Sequence, residues 1–129
     1  MANYKKRLTG FHETIIKNTE VDNCKDNIIV FTIDSDNKHI NYTLNKKTLK
    51  NYIKKIYPLL KNDIIIKKEV ISLLEDDIYS IYKTKVAMQR IPQIILNIFV
   101  IWNILDTDDG IDYTCLNKNI QIEDIYKNI

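Results

Sequence analysis

Residues 28–44, IIVFTIDSDNKHINYTL, decide the fold class. Ile28 to Ile33 is a run of β-branched and aromatic residues, the types that suit a pleated, half-buried surface. DSDNK (34–38) is a polar stretch whose Asp and Asn side chains can bond their own backbone, as tight turns require. From His39 to Leu44 the chain alternates, with Ile40, Tyr42 and Leu44 set against His39, Asn41 and Thr43. The segment reads as a β-hairpin over 28–44.

The flanks read as helices. Upstream, Tyr4, Leu8, Phe11 and Ile15 fall at helical spacing and predict an amphipathic helix over 3–19, followed by turn formers in EVDNCKDN (20–27). Downstream, NKKTLKNYIKKIYPLLKN (45–62) places Leu49, Tyr52, Ile53, Ile56, Tyr57 and Leu60 on one helical face, with Asn45 as its cap and Pro58 near its end. Six lysines (46, 47, 50, 54, 55 and 61) occupy the rest of that arc. A further helix is expected over 63–83, capped by Asp63, with Ile66, Val70, Leu73, Leu74, Ile78, Ile81 and Tyr82 as its stripe.

Residues 91–105, IPQIILNIFVIWNIL, are apolar almost all round. A bilayer-spanning helix needs about 20 apolar residues. This run is shorter and contains Gln93, Asn97 and Asn103, so a central buried helix with Pro92 in its first turn is expected, ended by DTDDG (106–110). IDYTCL (111–116) is a candidate third strand beside the hairpin, and Ile122, Ile125, Tyr126 and Ile129 suggest a short last helix. The expectation is a single α+β domain over 1–129, with about five helices and a small two- to three-stranded antiparallel sheet.

The net charge is only +2, but it is split. Residues 1–68 carry 14 Lys and Arg against 7 Asp and Glu; residues 69–129 carry 5 against 10. Lysines that solvate an amphipathic helix account for much of this, and the acidic half can neutralise part of the basic half. Any positive surface left over would attract phosphate. The two cysteines, Cys24 and Cys115, are far apart, and MANYKKRLTG has no apolar run. Reduced thiols and a cytoplasmic setting are therefore expected.

Signatures of catalysis are missing. His12 and His39 have no Cys or carboxylate at metal-ligand spacing, there is no Gly-rich phosphate loop, and DTDDG does not fit a calcium loop, whose first and last ligand positions would fall on Leu105 and Leu116. No catalytic residue, metal or cofactor is expected. Tyr52 and Tyr57 interleave with lysines but belong to the apolar stripe. Arginine, the usual reader of base edges, occurs only at 7 and 90, which argues against nucleic acid as a partner.

The order of helix, hairpin VFTIDSDNK (30–38), helix EDDIYSIYKT (75–84) and late GIDY (110–113) resembles a small poxvirus protein family involved in virion membrane biogenesis. These short pieces cover about a quarter of the chain. The resemblance implies an α+β fold and phosphoinositide binding through a basic surface. In that family basic residues concentrate after the segment matching IYKT. Here the chain continues as KVAMQRIPQIILNIF, with only Lys83, Lys85 and Arg90. Much of an anion-binding surface would therefore have to come from Lys46 to Lys68.

The expected function is that of a non-enzymatic viral protein, peripheral on an anionic membrane. The expected headgroup-binding residues are Lys47, Lys50, Lys54 and Lys55, with Lys83, Lys85 and Arg90. The alternatives are a protein-interaction module that inhibits a host defence factor, and a self-associating scaffold or virion component.

Overall fold

The computed structural model describes residues 5–8, 16–23, 28–35 and 38–129. The hairpin is present as β3 (Ile28–Ser35) and β4 (Lys38–Asn45), antiparallel, with Phe31 opposite Tyr42 and Ile33 opposite Ile40. It is one half of a larger sheet. β1 (Lys5–Leu8) and β2 (Ile16–Asp22) complete four antiparallel strands in the order β1-β2-β3-β4.

The helix expected over 3–19 is thus corrected to strand at 5–8 and from 16 onward; Tyr4, Phe11 and Ile15 lie outside the described residues. A hairpin alone leaves one side of each strand with unpaired N–H and C=O groups. Pairing Asn18–Asp22 along β3 satisfies those groups, which a few apolar residues at helical spacing do not offset.

The rest of the chain builds the helical layer. α1 (Lys46–Ile56) follows β4 directly and runs into a 3-10 turn, Tyr57–Lys61, that contains Pro58. Next come β5 (Ile64–Ile66), α2 (Lys67–Tyr82), α3 (Lys85–Ile101), β6 (Leu105–Asp106), β7 (Asp112–Cys115) and α4 (Ile122–Tyr126). The expected third strand exists as β7, but it does not join the hairpin. It is the centre of a second antiparallel sheet, β5-β7-β6.

Asp63 is likewise not a helix cap. Three β-branched residues, Ile64–Ile66, extend to pair with Asp112–Thr114, and α2 begins only after them, with Ile66 at its N-cap. The fold is α+β, with four α-helices and two small sheets among the described residues, in place of about five helices and one sheet.

α3 is the centre of the molecule. Every residue from Ile91 to Phe99 is buried, and the helix lies against β1, β2, α2 and β6. Its two buried polar residues, Gln93 and Asn97, are hydrogen-bonded within the chain. The Tyr113 hydroxyl donates to Asn97 Oδ1 at 2.5 Å, and Gln93 Nε2 donates to the Gly110 carbonyl at 2.7 Å. These bonds offset the cost of removing the amides from water; Gln93 fastens the turn before β7 to the helix, and Asn97 fastens β7 itself.

α3 starts six residues earlier than the apolar run. Thr84 caps it, accepting from the Ala87 N–H at 3.2 Å, so Pro92 lies inside the helix and not in its first turn. It also stops before DTDDG, at Ile101, with Asn103 in the left-handed region at φ 60°. Among the described residues no helix is long and apolar enough to cross a membrane.

Candidate functional site

Asn45 sets the start of α1: its side chain accepts from the Lys47 N–H at 2.8 Å. Leu49, Tyr52, Ile53 and Ile56 then face the core, all buried. At 3.6 residues per turn this forces Lys47, Lys50 and Lys54, at i, i+3 and i+7, onto a common outward stripe. Lys55 lies a step round the helix toward α2 and pairs with Asp77. Lys50 reaches the other flank, with its ammonium 5.5 Å from the Tyr126 ring centroid on α4. Lys54 and Lys55 also sit in the last turn, where positive charge favours the helix dipole.

The second group is carried by the α2–α3 turn. Lys83 closes α2 in the left-handed conformation (φ 59°, ψ 22°), a place that favours glycine, and its ammonium lies 6.0 Å from the Tyr79 ring centroid. Lys85 opens α3 and is exposed; the first turn of that helix holds no acid. A cation there adds to the positive end of the helix dipole, an unfavourable placement for stability alone and a favourable one for attracting anions. Arg90 is half-buried and lies about 140° round the helix from Lys85, so it belongs to a different face.

Local contacts bring the α2–α3 turn to the start of the α1 stripe. The Tyr82 hydroxyl donates to the Thr43 carbonyl at 3.3 Å, and the Tyr42 and Tyr82 rings meet edge to face at 6.5 Å. This fixes the α2–α3 turn beside the junction of β4 and α1, where Lys47 sits. A groove of about 670 Å³ runs between α1 and α2, lined by Thr48, Lys54, Lys55 and Asp77 among others, and Ile81 forms part of its wall. Tyr52 also lines it. Its buried hydroxyl has no hydrogen-bond partner among the described residues. Burial first, then Tyr82, then Asp77, push it up to about 12.

Of the seven residues proposed from sequence, only Lys55 is held by a carboxylate among the described residues. Lys47, Lys50 and Lys54 form one stripe, Lys83 and Lys85 form a second cluster near its start, and Arg90 stands apart. What the sequence reading missed is apolar. Tyr79, Ile81 and Val86 are about half exposed around the α2–α3 turn, at 47, 54 and 52%. The broad stripe expected on α2 is corrected accordingly. Val70, Leu74 and Ile78 are buried, while Ile66, Leu73 and Ile81 face outward, because one narrow i, i+4, i+8 line suffices to pack this helix.

The acidic turn is closed on itself. Asp109 Oδ1 accepts from the Ile111 and Asp112 N–H groups at 2.8 and 3.0 Å, which holds its carboxyl below the usual carboxylate range. Thr107 Oγ1 accepts from the Gly110 N–H at 2.9 Å, with Gly110 at φ 72°. No group of His, Cys, Asp and Glu suited to a metal ion occurs among the described residues. Cys115 is a free thiol, pushed up by burial. A scan against protein-family models, a search of curated proteins and a search of solved structures each found no match to this chain.

Proposed function

We propose that this chain is a non-enzymatic viral protein that docks peripherally on anionic, phosphoinositide-bearing membrane in the host cytoplasm and serves virion membrane assembly. The viral and membrane-assembly parts of this reading rest on the resemblance of VFTIDSDNK, EDDIYSIYKT and GIDY to the poxvirus family. The docking part rests on one observation: Tyr79, Ile81 and Val86 stand exposed around a turn that also carries Lys83 and Lys85. That pairing suits a membrane interface, where the aliphatic side chains and lysine stems enter the headgroup region and the ammonium groups meet phosphate. The α1 stripe of Lys47, Lys50 and Lys54 adds charge next to it. Each lysine near an anionic surface contributes about 1 kcal/mol, screened by salt.

Vesicle flotation tests the reading. The chain should float with vesicles containing phosphoinositide and stay behind with neutral vesicles, and Lys83→Glu with Lys85→Glu should abolish flotation. Absence of lipid-dependent binding at low salt removes the proposal.

A further inference from the structure

We propose that two copies of this chain associate through the free edge of β5, pairing Ile64–Ile66 antiparallel with the same strand of the partner. β5 is an edge strand among the described residues, bonded only to β7. The Cys115 N–H donates to the Asp63 carbonyl and the Lys67 N–H to the Ile111 carbonyl, both at 3.0 Å. The alternation of an antiparallel ladder therefore turns the backbone groups of Asp63, Ile65 and Lys67 toward β7 and those of Ile64 and Ile66 away from it. Those outward groups are the kind a second strand completes. The Ile66 carbonyl also starts α2, so the bonds open on both copies run from the Ile66 N–H to the partner's Ile64 carbonyl.

The side chains around this edge complement themselves. Ile64 and Ile66 are 52 and 40% exposed, while Ile65 between them is buried. Antiparallel pairing centred on Ile65 sets Ile64 beside the partner's Ile66 on the outer face. There the incoming isoleucine meets a shallow apolar recess of about 560 Å³ lined by Ile66 and the exposed Leu73. Within one chain Asp63 pairs with Lys118, and the Lys67 ammonium donates to Gln93 Oε1. The same register sets Asp63 opposite the partner's Lys67, twice by symmetry, so that association exchanges those partners for each other. Opposite charges directly across a strand pair favour it, and like charges there oppose it. An isologous two-fold contact requires such a match of one patch with itself. The surface is separate from the α2–α3 turn, so this proposal stands without the membrane reading.

Sedimentation of the full chain over a concentration series tests it. The mass should rise from 15.3 kDa to twice that value. Ile64→Lys, at an exposed position, should leave the far-UV circular dichroism unchanged and raise the dimer dissociation constant roughly tenfold or more. Asp63→Lys and Lys67→Glu should each weaken self-association, and mixing the two should restore a dimer, since each lysine then faces an acid. A wild-type chain that stays at 15.3 kDa at every concentration overturns the proposal. So does an Ile64→Lys chain that dimerises as tightly as wild type, and so does a mixture of the charge variants that fails to pair.

Discussion

α1 and α2 lie side by side and treat their apolar residues in opposite ways. In α1 the division is complete: Leu49, Tyr52, Ile53 and Ile56 are buried and every lysine except Lys46 is clearly exposed. In α2 the buried line is only Val70, Leu74 and Ile78, while Leu73, Tyr79 and Ile81 remain at the surface. A helix that shows water a clean polar face has its surface explained by folding alone. One that leaves large apolar groups outside, in two separate places, has surface that folding does not explain. The difference puts the apolar surface that folding leaves uncovered on α2 and its ends, not on the lysine-dense α1.

The comparison can be broken most directly by truncating one isoleucine on each helix. Ile53→Ala in α1 should cost about 2–5 kcal/mol in urea unfolding, from lost burial and the cavity left behind. Ile81→Ala in α2 should stay within about 0.5 kcal/mol of wild type. It should instead reduce vesicle binding several-fold, and equal costs at the two positions would erase the distinction.

A smaller effect, of opposite signs, is expected at the end of α2. Lys83→Gly relieves a left-handed residue and should stabilise the fold by about 1 kcal/mol. On the proposed membrane reading the same change also removes one cation from the docking surface and should weaken vesicle binding about fivefold. A gain in stability with vesicle binding unchanged would mean that Lys83 is a helix cap only.

The smallest effect lies in the seam between the helices. Tyr52→Phe deletes a buried hydroxyl that has no partner among the described residues and should be neutral or stabilising by up to about 1 kcal/mol in thermal unfolding. A clear loss of stability would show that this hydroxyl is bonded.

Much of the architecture was legible because it is local. The alternation of Ile40, Tyr42 and Leu44 gave β4, and Asn45 with the Leu49–Tyr52–Ile53–Ile56 spacing gave α1 within a residue of its observed start. The length of the apolar run 91–105 gave the buried helix. What failed depended on distant partners. Residues 16–22 became a strand because β3 offered an edge, and Ile64–Ile66 left the helical pattern because Asp112–Thr114, nearly fifty residues on, was there to pair.

The candidate site divides the same way. The α1 lysine stripe follows from periodicity. The exposure of Ile81 and Val86 does not, since how much of a broad apolar stripe is covered depends on where the neighbouring helix comes to rest. Arg90 was grouped with Lys85 by proximity along the chain, and five residues of helix separate their directions.

α3 serves as interior to both sheets: one wall is β1 and β2, another is β6, and its two buried amides hold the turn before β7 and β7 itself. Neither sheet therefore has a private core to fall back on. A protease cut or frameshift that removed either half would leave the other holding a bare, greasy rod in water, so the two halves stand or fall together.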